Sequence, residues 1–237
     1  MASFHFELKS GRKGAASDHA DYIARRGFHR QREDLVHAEH GNLPSWADGD
    51  PKRVWRASDR YERKNGAAYR EAIIALPSEL TNEQNKVLTR DLAEQLAHNR
   101  PFQLAIHAPT SSLQGERNPH VHLMTCDRID DGINRPAEIF FSRHNPKQPE
   151  KGGRKKAGGG RNRMQLRDEV IATRKAVADT INHHLALNGH HERVDHRTLK
   201  EQGAGRPAER HLGPVKVRNM SAKEKAQYVS MRSNGAA

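Results

Sequence analysis

The pattern that most constrains this chain is Arg117-Asn118-Pro119-His120-Val121-His122-Leu123-Met124. On a β-strand, residues two apart point to the same face. His120 and His122 therefore project together, while Val121 and Leu123 pack on the other side. Upstream, Phe102-Gln103-Leu104-Ala105-Ile106-His107 alternates in the same way. Phe102, Leu104 and Ile106 share one face, and His107 ends the opposite one. If the two strands are neighbours, three imidazoles converge. Three imidazoles with open positions can hold a divalent metal.

Charge indicates the partner. The 237 residues carry a formal net charge of +12 and only 5% aromatics, with a pI near 10.1 and a mean hydropathy of -0.97. A strongly basic, polar chain of this kind has a polyanion as its expected partner. The length suits one large domain or two small ones. No linker divides the front half from the middle, so one is expected. Cys126 is the single cysteine, which rules out an intrachain disulfide and fits a reducing compartment. It falls in the second histidine strand's extension and reads as a buried structural thiol. The N-terminus lacks the apolar stretch of a signal peptide. No apolar run approaches the length of a membrane span.

Further along the chain, Ser3 to Lys9 alternates and predicts a first strand, followed by the basic loop Gly11-Arg12-Lys13-Gly14. Ser17 is the expected cap of a short helix running through Tyr22 to about Arg26, with Gly27 ending it. Residues 28–50 read as irregular. Asp50-Pro51 opens a helix that carries Trp55 and Tyr61. Tyr69 to Leu76 reads as a strand. Thr81-Asn82-Glu83-Gln84 is a capping-box pattern ahead of a helix burying Leu88, Leu92 and Leu96. The two histidine strands follow, joined by a loop over residues 108–118. Lys147 to Arg163 is a Gly/Lys/Arg run expected to be mobile without a ligand. A long helix from Met164 to Asn188 places Val170, Val177, Ile181 and Leu185 on one stripe. Ser221-Ala222-Lys223-Glu224 begins a short C-terminal helix. This irregular mixture of strands and helices predicts an α+β fold with an antiparallel sheet.

Two residue groups suggest chemistry beyond the histidines. The chain has four tyrosines, and Tyr22 lies on a helix between the basic pairs Arg12/Lys13 and Arg25/Arg26. A phenol is a poor nucleophile until it loses its proton. Nearby guanidinium groups favour a phenolate and attract phosphate. Packing alone also accounts for a lone helical tyrosine. The second group is Lys147, Lys151, Arg154, Lys155 and Lys156, which can follow a phosphate backbone or form a solvated loop. Trp46, Trp55, Phe140 and Phe141 are candidate base platforms, and Trp55 also suits the core.

Taken in order, these segments resemble a known family. Pro119 to Met124 together with Leu104 to His107 is similar to the three-histidine motif of HUH single-strand endonucleases. The whole chain is similar to the relaxase domain of MobA/MobL (MobQ-type) plasmid mobilisation proteins. The supporting stretches include Ala20-Asp21-Tyr22-Ile23, Tyr61-Glu62-Arg63-Lys64-Asn65-Gly66, Ala75-Leu76-Pro77, Arg128 to Ile133, Asp195 to Leu199, and His211-Leu212-Gly213-Pro214. The loop from Ser111 to Glu116 is longer than the family pattern.

The resemblance implies a central antiparallel sheet with helices packed on one side and the metal and tyrosine on the other. It implies a relaxase domain over residues 1–214 and a helical tail over 215–237. The implied activity is nicking of one strand at a plasmid origin of transfer. Tyr22 would attack the phosphodiester and stay linked to the 5′ phosphate, and His107, His120 and His122 would hold the metal. Glu71 would orient a ligand histidine or help deprotonate the tyrosine. Arg12, Lys13, Arg25, Arg26, Lys147, Lys151, Arg154, Lys155 and Lys156 would contact DNA. The implied metal is Mn²⁺ or Mg²⁺, although three imidazoles also suit Zn²⁺. Implied partners are origin DNA, accessory mobilisation proteins and a type IV secretion coupling protein. The implied setting is the bacterial cytoplasm, with delivery to a recipient cell. A chain ending at residue 237 carries no expectation of a priming activity.

Two other readings stay open. A rolling-circle initiator places its tyrosine after the histidine strand, where Tyr228 is the only one. A non-catalytic basic DNA-binding protein would form no covalent adduct. A zinc hydrolase is disfavoured because His-Glu-x-x-His is absent.

Overall fold

The computed structural model describes residues 4–205 apart from 112 and 114, residue 212, and residues 214–234. His211 and Gly213 of the family-like stretch, and Ser112 and Gln114 of the long loop, lie outside the described residues. Five strands form one sheet: β1 (Phe6–Arg12), β2 (Leu35–Gly41), β3 (Ala67–Ala75), β4 (Phe102–His107) and β5 (His120–Thr125). Their order is β1-β3-β5-β4-β2, and every neighbouring pair is antiparallel. The helices are α1 (Ala16–Ile23), α2 (Pro51–Tyr61), α3 (Asn82–Ala97), α4 (Ala137–Phe140), α5 (Arg163–Leu187), α6 (Pro214–Asn219) and α7 (Ala222–Asn234). Among the described residues, no helix is long and apolar enough to cross a membrane.

Register decides which side chains meet. In the β4–β5 pair, His107 faces His120, Ala105 faces His122, and Gln103 faces Met124. In the β3–β5 pair, Ile73 faces His122 and Glu71 faces Met124. Directly opposed residues share a face, so the histidines and Glu71 lie on one side of the sheet. The alternate residues Ile74, Leu104, Ile106, Val121 and Leu123 form the other side. They pack against Leu88 and Leu92 of α3 and Val177, Ile181 and Leu185 of α5. Each such buried aliphatic side chain contributes about 1.5–3 kcal/mol.

The site face also carries helices. Ala16, Ala20 and Ile23 of α1 and Val54 and Trp55 of α2 pack with Ala105 and Met124. Away from the histidines this face is apolar, so it too must be covered. Trp55 is fully buried, and its indole N–H donates to Gln103 Oε1 at 2.9 Å. It is core and not a base platform. Phe140 and Phe141 are buried in the same cluster.

Several local expectations are met. Asp50 caps α2, accepting from the Lys52 amide, and Thr81 with Gln84 forms the capping box of α3. Cys126 is buried, and burial pushes its thiol pKa up to about 11.

Others are corrected. Residues 35–41, expected to be irregular, form the edge strand β2, whose bulge between Leu35 and His37 breaks the alternation. Ser17 lies inside α1 and does not cap it. The helix has no cap from its own segment. Instead Asp59 of α2 accepts from the amides of Gly14 (2.7 Å), Ala16 (3.0 Å) and Ser17 (2.8 Å). Val170 is exposed while Val177, Ile181 and Leu185 are buried. The 25 residues of α5 span about 37 Å at 1.5 Å per residue. The six-residue strands it covers run about 20 Å. Its N-terminal half stands off the sheet, across a cavity of about 620 Å³ lined by Leu123, Thr125, Leu166, Val170 and Thr173.

Candidate active site

The three histidines meet as the strand register requires. One nitrogen from each of His107, His120 and His122 lies within 4.8 Å of the other two. Two metal–nitrogen bonds of about 2.1 Å at tetrahedral or octahedral angles place their nitrogens about 3.0–3.4 Å apart, so the rings must close by about 1.5 Å to share one ion. The hydrogen-bond partners fix the tautomers. His120 Nδ1–H donates to the Asn118 carbonyl at 3.0 Å, which leaves Nε2 with a free lone pair. His122 Nδ1–H donates to Glu71 Oε1 at 2.7 Å, again leaving Nε2. His107 Nε2–H donates to the Ile23 carbonyl at 2.7 Å, so its lone pair is on Nδ1. That lone pair accepts from Arg25 Nη2 at 3.1 Å. A cation on Nδ1 and the Arg25 N–H compete for the same electrons.

Electrostatics favour neutral His107 and His120 and a charged Glu71. Burial pushes the His107 pKa down to about 4, and the Ile23 hydrogen bond only partly opposes this. Burial also lowers that of His120. Glu71 is 2% exposed. Burial alone would raise its pKa, but hydrogen bonds from His122 and His19 outweigh it and bring the value to about 2. A neutral imidazole beside a fixed carboxylate is the donor set that metal sites use. The residues present therefore fit a divalent cation, held by His107, His120 and His122 with Glu71 orienting His122.

Helix α1 carries Tyr22 over the triad. The phenol ring stands edge-on to His122, with centroids 6.3 Å apart. Arg25 and Arg32 lie over the same ring, at 4.7 and 5.3 Å from its centroid. His19, one turn earlier, stacks with Tyr22 at 5.8 Å and with Tyr69 at 4.9 Å. His19 Nε2 also donates to Glu71 Oε1 at 2.8 Å. One carboxylate oxygen thus joins the helix that carries the tyrosine to a ligand histidine.

The basic residues separate into two groups. Arg12, Arg26, Lys147, Lys151 and Lys155 are exposed, and Lys13 is half-buried. Arg25 and Arg154, expected among the phosphate contacts, are buried and internally paired. Arg25 makes a two-pronged ion pair with Asp34, at 2.7 Å on each arm. Burial opposes its charge, but the Asp34 and Tyr22 hydrogen bonds raise its pKa. Its φ of +51° places a non-glycine residue in the left-handed region, a strain of about 1–3 kcal/mol that the surrounding contacts must offset. Arg154 pairs with Asp130 at 2.5 Å and lies over Phe140. Lys156 is half-buried against Glu62 at 3.2 Å. The run expected to be mobile is therefore partly built into the core. Gly153 explains why: a Cβ there would lie 2.2 Å from the Ser142 carbonyl.

Four residues of the site region were not singled out from sequence. His19 and Asp59 act across separations of 52 and 42–45 residues. Asp34 partners the buried Arg25. Phe28 is 99% exposed, on the turn that places His29 edge-on to Tyr22 at 5.3 Å. Only Phe28 left a signal in the sequence, as an aromatic inside a polar segment five residues from the next tyrosine or phenylalanine.

Comparison with known proteins gives a consistent result. The sequence model of the MobA/MobL family matches residues 11–223. The chain is 44% identical over 209 residues to the 43 kDa relaxation protein of Salmonella typhimurium, covering 87% of this chain and 56% of that protein. It is 43% identical over 220 residues to Mobilization protein A of Escherichia coli, covering 90% of this chain and 30% of that one. The chain thus spans about half or less of the length of these relatives. A solved structure concerned with the molecular basis of vancomycin resistance transfer in Staphylococcus aureus superposes with a TM-score of 0.58 at 24% identity. It is covered completely, against 83% of this chain, and shares the fold. With the family's sequence pattern extending over nine-tenths of its length, this chain belongs to the MobA/MobL family.

Proposed function

We propose that this chain is a plasmid mobilisation relaxase that nicks one strand at an origin of transfer by tyrosine transesterification. The observation that carries the reading is the coupling of Tyr22 to the three-histidine cluster. Its ring stands 6.3 Å from that of His122, on a helix tied by His19 to the carboxylate that orients the same histidine. A phenol beside three clustered imidazoles and a fixed carboxylate suits attack on a phosphodiester.

In this reading Tyr22 loses its phenolic proton to solvent, its oxygen attacks phosphorus in line, and the bond to the 3′ oxygen breaks. The protein stays joined to the 5′ phosphate, and the 3′ oxygen takes up a proton. Resealing is the reverse reaction and needs no nucleotide cofactor. A divalent cation, Mn²⁺ or Mg²⁺, supplies positive charge for the non-bridging oxygens when bound by His107, His120 and His122. Glu71 fixes the His122 tautomer. Arg12, Lys13 and Arg26 attract the strand beside Tyr22, and Lys147, Lys151, Lys155 and Lys156 attract it farther away. Phe28, exposed next to the tyrosine, offers a face for an unpaired base. Residues 1–214 form the nicking domain. The partners are origin DNA, accessory mobilisation proteins and a coupling protein, met in a bacterial cytoplasm before transfer to a recipient.

The test is incubation with single-stranded origin oligonucleotides and Mn²⁺, with and without EDTA, followed by a denaturing gel. A protein–DNA adduct that requires the metal supports the reading. Cleaved DNA without an adduct contradicts the tyrosine mechanism.

A further inference from the structure

A second polar cavity lies away from the histidines. It measures about 370 Å³ and is lined by Arg63, Arg128, Arg143, His144, Lys155 and Lys156. Its floor is a buried ion pair. Arg128 and Glu62 are both 2% exposed and lie 2.9 Å apart. Arg128 also donates to the carbonyls of Ser142 (2.8 Å), Arg154 (2.7 Å) and Phe141, so its N–H groups are fully engaged. The Glu62 carboxylate is shared with Lys156 at 3.2 Å and with Arg63 at 3.9 Å. Arg143 and Lys155 have no acidic partner among the described residues. One carboxylate therefore pairs with three of the cavity's five permanent cations.

Arg63, Arg143 and Lys155 are exposed, so their charge is open to an entering anion. Gly159 and Gly160 complete the wall, and no side chain is there to hinder an approaching oxyanion. Planar guanidinium and primary ammonium groups are the donors that grip phosphate oxygens. The cavity is also tied to the sheet that carries the proposed nicking site. Lys156 Nζ donates to the Ala67 carbonyl at 3.4 Å, at the start of β3. Ala67 is four residues before Glu71, about 13 Å along the strand.

We infer that this cavity is a phosphate-binding site, and that its ligand is a backbone phosphate of the DNA strand away from the scissile one. The inference rests on the relaxase reading and adds Arg63, Arg143 and His144 to the substrate contacts. It gives the enzyme a second fixed point on the strand, so that the register of the nick is measured from an anchored phosphate as well as from the tyrosine.

The test is single-strand DNA affinity as a function of salt, for the full chain and the double variant Arg63→Gln/Arg143→Gln. Loss of one phosphate contact flattens the slope of log K against log salt by about 0.7. Affinity at fixed low salt falls roughly tenfold, as expected for charge-assisted hydrogen bonds. Arg63→Lys/Arg143→Lys restores the slope. Arg167→Gln, an exposed arginine on α5, removes a charge elsewhere and leaves the slope unchanged. Equal thermal midpoints show that the variants are folded. Inorganic phosphate, compared with chloride at matched ionic strength, displaces DNA from the parent protein more than from the double variant. If the double variant keeps the parental slope, the phosphate site is wrong. If inorganic phosphate binds in the cavity and the variant's DNA affinity is unchanged, the ligand is a small phosphate compound, which also overturns the assignment. If the parent protein binds no DNA at all, the relaxase reading itself fails, which is a distinguishable result.

Discussion

Asp59→Ala isolates the contact that holds the tyrosine's helix in place. Asp59 lies on α2, and its carboxylate accepts three amides at the start of α1, from Gly14, Ala16 and Ser17. An N-cap contributes about 0.5–2 kcal/mol, and a negative charge at a helix start adds about 0.3–1 kcal/mol. The amides of Ala16 and Ser17 are part-buried, so leaving them unpaired costs about 1–3 kcal/mol each. The Gly14 amide is exposed and is rehydrated. Allowing for water that reaches the half-buried pair, the loss should be about 2–4 kcal/mol. In a chain of this size, 1 kcal/mol shifts Tm by about 2–4 °C, which gives a fall of about 5–15 °C. Asp59→Asn keeps an acceptor and loses the charge, so it should fall between. Urea unfolding measures the energy, and amide hydrogen exchange at Ala16 and Ser17 locates it. A loss below about 0.5 kcal/mol, the ordinary range for surface changes, or unaltered exchange at those two amides, refutes the reasoning.

The other predictions concern the site itself. Glu71→Gln should weaken Mn²⁺ affinity by about 10- to 100-fold, because His122 loses the charged acceptor that fixes its tautomer; calorimetric titration with an unchanged Kd would contradict this. Phe28→Ala should lower single-strand DNA affinity by about 1–3 kcal/mol for one lost stacking platform, with metal affinity unchanged; equal DNA affinity in fluorescence anisotropy would remove Phe28 from the site. Stability should fall with pH. His107 has a folded-state pKa of about 4 against 6.5 unfolded, so the unfolded chain takes up a proton first, and the folded state loses about 3 kcal/mol between pH 6.5 and 4. Glu71, at about 2 against 4.5, contributes stability above pH 4.5 that is lost as pH falls to 2. A urea midpoint constant from pH 7 to 4 would show that these groups are not perturbed as described.

Local pattern made the centre of the sheet legible. Alternation in Phe102–His107 and Pro119–Met124 assigned the strands and faces, and pairing in the observed register then left the imidazoles no other place to go. Thr81 and Asp50 announced their helices because cap chemistry is local. What escaped is non-local. The cap of α1 comes from α2, and Ser17, the residue that looked like a cap, lies two residues past the N-cap position, Ala15. β2 was hidden because an edge strand with a bulge buries neither face fully and shows no clean alternation. Composition misled over residues 147–163. Glycine and lysine suggested a flexible run, but Gly152 and Gly153 pack against backbone, and Arg154 pairs with Asp130. His19 was invisible because its partner, Glu71, lies on a different element.

The central claim is that Tyr22 is the nucleophile, and mass spectrometry of the trapped adduct tests it most directly. The protein is incubated with an origin oligonucleotide and Mn²⁺, nuclease-trimmed and digested with trypsin. The peptide spanning residues 14–25 contains Tyr22 and no other tyrosine. The account predicts a nucleotide phosphate on that peptide alone, and its absence from Tyr22→Phe. Tyr69 should stay unmodified, since burial and the Glu71 and Asp59 charges push its pKa up to about 12. An adduct on Tyr61, Tyr69 or Tyr228, or one that persists in Tyr22→Phe, would contradict the account.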